Sequence, residues 1–448
     1  MGPFRRVARG RLPVPDGPAP IAVRGGTAAL RFALLAALAP AVILTGGAWL
    51  RPARGQAPPG RAEAGIPATG KLAPALEPLD RAVVAMMGRH GIPGAALAVA
   101  RDGKLVLARG FGWADLATRE QVQPDTRFGI ASLSKAFTAV AVLKLVEDGK
   151  LRLDDKAFVL LNHIKPFPGT RVDPRLYKIT VRQLLNHSGG WDTKASGDPV
   201  NWTTQVQLKR GDRTPVSAAH LIAFTMGIPL DFDPGTDSKY SNFGYIVLGE
   251  VIAKASGQPY ERYVRERVLA PMGVRNASLH PPGGRYFRDE ARRYLAGTDT
   301  LLPAWQQKYS DAAGGWSASA VDLAYFLTAL DGSRQKSVLN EKTFRQMIEL
   351  PPPPLKARPN GTHVGLGWDS VVLSEPRRFG YYKDGSWFGM RSFMKRGPNG
   401  VNWALLFNAS MQPDVLDSRI VGDAVKEVRE AVERLEKYPD LDLFKEFR

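Results

Sequence analysis

The chain has 448 residues, of which 44% are hydrophobic, so it is long and apolar enough to form one large or two smaller well-packed domains. It contains no cysteine, which excludes disulfides, thiolate metal sites and a cysteine nucleophile. The formal net charge is +18, but the basic residues form no long run and no nucleic-acid-binding motif occurs, so we expect no nucleic-acid partner.

The first 57 residues differ from the rest of the chain. They hold eight arginines and one aspartate, a net +7, which leaves +11 for the other residues. Residues 32–50 then run for nineteen positions without a charge. That length lies between a signal-peptide core and a membrane span, and the arginine-rich side stays in the cytoplasm. Residues 1–57 therefore predict a cytoplasmic stub with a signal peptide or signal anchor. The rest of the chain is expected outside the cytoplasm, periplasmic or extracellular, with possible membrane anchoring through 32–50.

Residues 58–70 are rich in Pro, Gly and Ala and predict a linker, which places the folded domain at 71–448. Its first helix is predicted to end near Gly91, because four preceding apolar residues have helical spacing: Leu76, Leu79, Val83 and Met86. Two apolar runs joined by Asp102-Gly103 then predict a β-hairpin. Dense apolar sequence up to Val146 predicts a helix that is buried on nearly all sides.

Residues 151–300 predict a mainly helical lobe of short helices and loops, of which 245–257 is the clearest helix. Another amphipathic helix is predicted at 321–330. Four strands follow, at 364–373, 377–385, 389–397 and 401–410, and apolar residues at helical spacing predict a C-terminal helix: Val421, Val425, Val428, Val432 and Leu435. Strands near both ends of the domain indicate an α+β fold. In it, one antiparallel sheet built from the N- and C-terminal segments is flanked by helices, with the helical lobe inserted.

Three segments of the chain fit the pattern Ser-x-x-Lys, which is short enough to occur by chance. Ser333 and Lys336 lie in a polar loop, and Ser392 and Lys395 lie in a predicted strand, where positions three apart face opposite ways. The third match, Ser132-Leu133-Ser134-Lys135, opens the buried helix, and we expect Ser132 in its first turn.

A serine and a lysine one helical turn apart share a face of the helix. Burial lowers the pKa of a lysine, and a neutral amine is the general base that a serine nucleophile needs. Backbone amides at the helix start favour a developing oxyanion. On this segment alone, a surface serine cap beside a solvated lysine explains the pattern equally well.

The chain resembles the serine penicillin-recognising superfamily, especially the branch with class C β-lactamases, D-amino-acid peptidases and related esterases. The resemblance spans about residues 75–410 and rests on six segments in the right order. They are GIASLSKAFTAVAVLKLVEDGKLRLDD (129–155), ITVRQLLNHSGGWD (179–192), DPGTDSKYSNFGYIVLGEVI (233–252), AAGGWSASAVDLAYFL (312–327), GLGW (365–368) and KDGSWFGMRSF (383–393).

The resemblance implies a β-lactamase/transpeptidase-like fold and an acyl-enzyme on Ser132. Lys135 and Tyr240 would move protons, Tyr240 as phenolate or tyrosine, while Asn242 would position the substrate and Lys135. Lys383 would lie opposite Tyr240, and Gly385 would let the substrate approach the strand. The amides of Ser132 and Ser386 would form the oxyanion hole. Neither a metal nor an organic cofactor is implied. Two simpler interpretations remain: Asn242 could be a helix cap, and Lys395-Arg396-Gly397 also fits Lys-x-Gly.

Asp384 departs from the family pattern, which has Thr, Ser or Gly at this position. An aspartate there would repel the carboxylate of a β-lactam or pair with Lys383. We therefore expect an enzyme for an uncharged ester or amide, either an esterase or resembling a D-amino-acid peptidase, with weak activity on β-lactams. The alternatives are a true class C-like β-lactamase and a non-catalytic peptidoglycan-binding or sensor protein.

Other hydrolase classes lack sequence support. No Gly-x-Ser-x-Gly elbow occurs, and the six histidines form no His-x-His or His-x-x-x-His pair, so neither an α/β-hydrolase nor a metallohydrolase is indicated. His187 is expected to be structural and to bond to backbone. The partner expected is a small-molecule or peptide ester or amide, and the oligomeric state stays open.

Overall fold

A computed structural model describes residues 65–375, 378–410 and 415–447 of the chain. The predicted signal segment 1–57 and residues 58–64 of the predicted linker lie outside these ranges. At the end of that linker, Ala68–Thr69 pairs with Gly110 and Phe111, so the ordered fold begins before residue 71. None of the helices that the described residues form has the length and apolar character needed to cross a membrane.

The described residues form twelve helices in addition to short 3₁₀ turns. Their bounds are α1 Glu77–His90, α2 Ser134–Glu147, α3 Ala157–Leu160, α4 Val181–Leu185, α5 Thr203–Arg210, α6 Ala218–Thr225, α7 Asn242–Ser256, α8 Tyr260–Val264, α9 Asp311–Gly314, α10 Ala320–Leu330, α11 Glu341–Ile348 and α12 Val415–Arg434. The first helix stops at Gly91, which takes the left-handed conformation (φ 61°) that glycine adopts without strain.

The same residues form fourteen strands. Their bounds are β1 Ala68–Thr69, β2 Gly94–Arg101, β3 Lys104–Asp115, β4 Glu120–Gln121, β5 Phe128–Gly129, β6 Ser278–Leu279, β7 Arg293–Leu295, β8 Leu301–Leu302, β9 Trp316–Ala318, β10 Ser370–Glu375, β11 Arg378–Trp387, β12 Met390–Arg396, β13 Val401–Phe407 and β14 Ala409–Ser410.

The main sheet joins the two ends of the domain, as the sequence predicts. Its strand order is β1-β3-β2-β13-β12-β11-β10, with antiparallel neighbours throughout and β4 beside β3. The β2–β3 hairpin turns at Asp102 and Gly103, whose φ angles of 49° and 75° suit a tight two-residue turn. Strand β13 pairs with β2, so residues about 300 positions apart in the sequence are neighbours at the centre of the sheet.

Helices cover both faces of this sheet. Along β2, Leu97 and Val99 point into the core beneath α1 and α12, while Ala96 and Ala98 point into the larger core on the opposite face. On that opposite face α10 packs against β13 and β2. The mixed fold of helices and antiparallel sheet predicted from the sequence is therefore confirmed.

Helix α2 lies inside the larger core. Every residue from Ser134 to Leu143 is buried, and α2 packs against α7 and α9. The ring of Phe137 lies 5.8 Å from that of Trp316 and 4.8 Å from that of Phe326, both in edge-to-face contact. The prediction of a helix buried on nearly all sides is confirmed, and its amino-terminal end is held rigidly by close packing.

The inserted lobe contains less helix than the sequence predicts. Its helices α3–α8 are followed by a π-helical turn at Arg265–Leu269. Residues 278–302 then form β6, β7 and β8, which join two small sheets: β6 pairs with β9, and β7 pairs with β8 and β14. These two-residue and three-residue strands are too short to give a pattern of alternating hydrophobicity.

Candidate active site

Ser132 lies in a 3₁₀ turn, Ala131–Leu133, directly before α2. The sequence analysis placed it in the first turn of the helix, but the α-helix begins at Ser134. The preceding residue, Ala131, has a φ of 43°, a strained value for a residue with a side chain. Side chains at i and i+3 are also aligned in a 3₁₀ turn, so Ser132 still faces Lys135.

The amine of Lys135 is fully buried and has three polar neighbours. Its Nζ lies 3.0 Å from Ser132 Oγ, 2.7 Å from Asn242 Oδ1 and 2.6 Å from the carbonyl oxygen of Ala313. Burial, and then the positive charge of Lys383, hold the pKa of Lys135 well below its usual value of 10.5. A neutral amine has two hydrogens and one lone pair. The two oxygens that can only accept, those of Asn242 and Ala313, take the hydrogens, which leaves the lone pair for the hydroxyl hydrogen of Ser132.

Tyr240 lies on the other side of the nucleophile. Its hydroxyl is 2.6 Å from Ser132 Oγ and 3.3 Å from Asn242 Oδ1. Burial of the hydroxyl and the nearby charge of Asp369 raise the pKa of Tyr240 well above its usual value. Of the two states that the resemblance allowed, the geometry therefore favours neutral tyrosine, which donates its hydrogen to Ser132 Oγ.

Asn242 is the first residue of α7 and does not cap it. Ser241 is the cap, since its side chain accepts a hydrogen bond from the amide of Gly244. The amide group of Asn242 is thereby free to donate to Asp198 Oδ2 at 2.6 Å, which turns its own oxygen toward Lys135. The interpretation of Asn242 as a helix cap is wrong.

Strand β11 brings a free edge to the nucleophile. Its pairing with β10 stops at Tyr382, so the residues after it are unpaired on that side. The amide of Asp384 donates across this edge to Asp369 Oδ2 at 3.2 Å. Amides two residues apart on a strand point the same way, so the amide of Ser386 also points to the free edge.

Gly385 allows this edge to approach Ser132. A Cβ atom at Gly385 would lie 2.5 Å from the carbonyl oxygen of Ile130 and 3.0 Å from the amide nitrogen of Ser132, closer than packed atoms tolerate. The missing side chain therefore lets the amides of Ser132 and Ser386 face one space. Two converging amides form the arrangement that an oxyanion hole requires.

Lys383 is fully buried beside Tyr240, with Nζ 5.3 Å from the centre of the tyrosine ring. It forms an ion pair with Asp369, and the amide of Asp384 also donates to that carboxylate. Burial alone would raise the pKa of Asp369, but Lys383 holds it below its usual value. The cation of Lys383 is therefore neutralised before any substrate arrives.

Asp384 does not pair with Lys383, so that alternative from the sequence is wrong. Strand alternation turns its side chain away from Lys383, toward Arg391 Nη2 at 3.7 Å. Burial, and the charge of Asp369, raise the pKa of Asp384 to about 6. At neutral pH Asp384 is mostly ionised and adds a negative charge to the rim of the site.

The competing motif matches lie elsewhere. Lys395 lies on the opposite face of the sheet from Lys383 and pairs with Glu433.

The Nδ1 atom of His187 accepts a hydrogen bond from the amide of Ser241 at 3.2 Å, and burial, with the charge of Lys383, lowers the pKa of His187 to about 3. His187 is neutral and bonds to backbone, as expected.

Two functional residues were missed by the sequence analysis. Asp369 immediately follows the GLGW segment, and Asp198 lies in the loop before α5. For Asp369 the sequence offers only its position directly after GLGW, which does not by itself indicate a pair with Lys383. Nothing in the local pattern around Asp198 distinguishes it from other loop aspartates.

These residues line a cavity of about 570 Å³. Ser132, Tyr240, Asn242, Asp384 and Ser386 border it. Trp305, Trp387 and Phe388 form an aromatic part of its wall. Among its described lining residues both charged side chains are acidic and none is Lys or Arg. The cavity can hold an ester or amide with its carbonyl group between the nucleophile and the two amides.

The Beta-lactamase family matches residues 79–424 of the chain. The chain belongs to this family. Among curated relatives, "Protein flp" of Staphylococcus aureus (strain NCTC 8325 / PS 47) is 29% identical over 211 residues, which are 47% of this chain and 40% of that protein. The "Putative penicillin-binding protein PbpX" of Bacillus subtilis (strain 168) is 30% identical over 262 residues, 57% of this chain and 59% of that protein. The matches thus span about half the length of these relatives.

Several solved structures share the fold. The octameric penicillin-binding protein homologue from Pyrococcus abyssi superposes with a TM-score of 0.62 and 26% identity, covering 79% of this chain and 77% of that one. D-amino acid amidase from Ochrobactrum anthropi SV3 gives a TM-score of 0.63 at 23% identity, covering 82% and 100%. EstCE1, described as a hydrolase with promiscuous acyltransferase activity, gives 0.63 at 20% identity, covering 80% and 100%. The resemblance inferred from the sequence is confirmed.

Proposed function

We propose that this protein is an exported serine hydrolase that forms an acyl-enzyme on Ser132 and acts on an ester or amide. The observation that carries the proposal is the fully buried amine of Lys135, which lies 3.0 Å from Ser132 Oγ and whose other two partners, Asn242 Oδ1 and the Ala313 carbonyl, can only accept hydrogen bonds. Membership of the Beta-lactamase family supports it. So do the structural neighbours, which include an amidase and a hydrolase.

In the proposed reaction, Lys135 takes the hydroxyl proton of Ser132 while Oγ attacks the substrate's carbonyl carbon. The amides of Ser132 and Ser386 hold the negative oxygen that forms. Tyr240 gives its proton to the leaving group and recovers the proton held by Lys135, so no charge is left on the tyrosine. Water then attacks the acyl-enzyme, and the same groups act in reverse.

The charges around the cavity favour a substrate without a carboxylate near Asp384. Lys383 is neutralised by Asp369, and Asp384 is mostly ionised at neutral pH. The resemblance to β-lactamases implies that the carboxylate of a β-lactam would lie near the position of Asp384, where like charges repel. We therefore propose a neutral ester or amide as substrate and weak activity on β-lactams.

A substrate panel on the purified protein tests this function. We expect hydrolysis of p-nitrophenyl butyrate to exceed that of nitrocefin, with D-alanyl peptides and amino acid amides run beside them. Ser132→Ala should abolish turnover. Lys135→Arg should lower kcat/KM by about 10²–10⁴-fold, because arginine keeps its proton.

Each alternative gives a different outcome in this panel. Nitrocefin hydrolysed as fast as the butyrate ester would establish a β-lactamase. Labelling of Ser132 by a fluorophosphonate or a fluorescent penicillin, without turnover of any substrate, would indicate the binding or sensor protein. Ester hydrolysis that survives Ser132→Ala would contradict the proposed nucleophile.

The role of Asp384 predicts a pH-dependent selectivity. Phenyl butyrate and 3-carboxyphenyl butyrate differ by one carboxylate on the leaving group. Above pH 6, where Asp384 is ionised, the anionic ester should be disfavoured by about tenfold, and the ratio of the two kcat/KM values should approach one as pH falls to 5. Taking the ratio cancels the titration of Lys135. In Asp384→Asn the ratio should be constant with pH, and a wild-type ratio that is equally constant would contradict this role.

Export is proposed from the amino-terminal sequence, with its arginine-rich start and the uncharged residues 32–50. A fusion of residues 1–70 to alkaline phosphatase, which is active only outside the cytoplasm, tests this part independently. Phosphatase activity in intact cells supports export. An inactive fusion that is made at normal levels would contradict it.

A further inference from the structure

A second cavity, of about 840 Å³, lies on the face of the sheet opposite the nucleophile. We call it the rear cavity. Its floor is formed by β10, β11, β12 and Trp403 of β13. Its other wall is formed by Gly422, Val425, Lys426 and Arg429 of α12. Tyr382, Asp384 and Ser386 line it from β11, because alternate residues of a strand share a face, while Lys383 and Gly385 point the other way. Its volume lies in the range of about 300–1,000 Å³ that small-molecule sites usually have.

The rear cavity has an excess of positive charge. Four cationic side chains line it, and Asp384 is the only acid among the described residues that do so. The four cations are Arg391, Lys395, Lys426 and Arg429. Lys395 is paired with Glu433, but neither Lys426 nor Arg429 has a salt bridge to another described residue. The net charge of the lining therefore suits an anion.

Two guanidinium groups in this cavity are incompletely satisfied. The Nε atoms of Arg391 and Arg429 are both buried, and neither has a hydrogen-bond partner among the described residues. The side chain of Arg391 is only 10% exposed, and its nearest carboxylate, Asp384, is 3.7 Å from Nη2. A buried cation without its full set of hydrogen bonds is unfavourable, and an incoming acceptor would remove that cost.

The remaining wall is apolar. Phe393, Trp403 and Val425 line the cavity, and the guanidinium of Arg391 lies 5.3 Å from the centre of the Phe393 ring. A bare phosphate would leave this wall exposed to water. An organic anion with an apolar body would cover it and place its charged end on the arginines.

The rear cavity adjoins the catalytic one. Asp384 and Ser386 line both cavities, and Ser386 is directly opposite Arg391 in the pairing of β11 with β12. A ligand held by Arg391 would therefore contact the strand that carries the Ser386 amide, without entering the space in front of Ser132.

We propose that the rear cavity binds a small organic carboxylate with an apolar body, and that Arg391 and Arg429 hold its charged end. This inference goes beyond the proposed hydrolase function and does not depend on it. The occupant is defined by its chemistry: one carboxylate, for the two guanidinium groups, and one ring or chain of aliphatic carbons, for the wall formed by Phe393, Trp403 and Val425.

Calorimetric titration of the full-length chain with 3-phenylpropionate tests the proposal, using Ser132→Ala so that catalysis plays no part. We expect saturable binding at one site and at least about tenfold weaker binding of the neutral amide, 3-phenylpropionamide. Arg429→Gln and Arg391→Gln should each weaken carboxylate binding by about tenfold or more. Arg434→Gln is the matched control, because Arg434 is on the same helix but pairs with Glu430 on the surface, and it should leave binding unchanged.

Blocking the catalytic cavity tests where 3-phenylpropionate binds. With Ser132 of the wild-type protein blocked by a fluorophosphonate, 3-phenylpropionate should still bind, whereas binding that is lost would place it in front of Ser132 and overturn the proposal. No saturable binding, or equal weakening in Arg429→Gln and Arg434→Gln, would also overturn it. Thermal melting of Arg429→Gln and Arg391→Gln separates lost binding from lost folding.

Discussion

The amine of Lys135 must remain neutral inside the protein, and the rest of the site is arranged around that requirement. Helix α2 is buried on nearly every side, which removes the water that would stabilise a charged amine. Asn242 and Ala313 take its two hydrogens, while Asp198 fixes the orientation of the Asn242 amide. The 3₁₀ turn that carries Ser132, helix α7 of the helical lobe and α9 thus meet at one nitrogen atom.

A second lysine nearby adds to the effect of burial on Lys135. The charge of Lys383 helps to lower the pKa of Lys135 and is itself compensated by the ion pair with Asp369. Because Lys383 already pairs with Asp369, its charge is not free to receive a substrate carboxylate. Asp384 adds a negative charge at the rim of the site. In the function that we propose, the charge pattern that lowers the pKa of Lys135 also selects against anionic substrates. A lone cation at this position would favour them.

Much of the fold could be predicted because its signals are local. The Asp102-Gly103 turn, the apolar helix after Lys135 and three of the four C-terminal strands each appear within a short window of sequence. The strand predicted at 364–373 begins only at Ser370. Ser132, Lys135 and Tyr240 were predicted because the motifs that contain them occur in the order typical of the family, in addition to the Ser-x-x-Lys spacing. Asp198 and Asp369 were not predicted from the sequence. Asp198 binds the side chain of Asn242, which is far along the chain, and Asp369 contacts Lys383 and the Asp384 amide across a strand edge. Likewise, the pairing of Asp384 with Arg391 follows from strand alternation and register, which the sequence alone does not fix.

The protonation state of Lys135 is the most direct test of this account. Carbon-13 NMR of protein labelled at lysine Cε, with the Lys135 signal assigned by its absence in Lys135→Gln, reports the pKa of each lysine. We predict that Lys135 titrates well below its ordinary value of 10.5, apart from the surface lysines. In Lys383→Met, which removes the neighbouring positive charge, the pKa of Lys135 should rise. A Lys135 signal that titrates together with the surface lysines would contradict the central claim that a neutral amine activates Ser132.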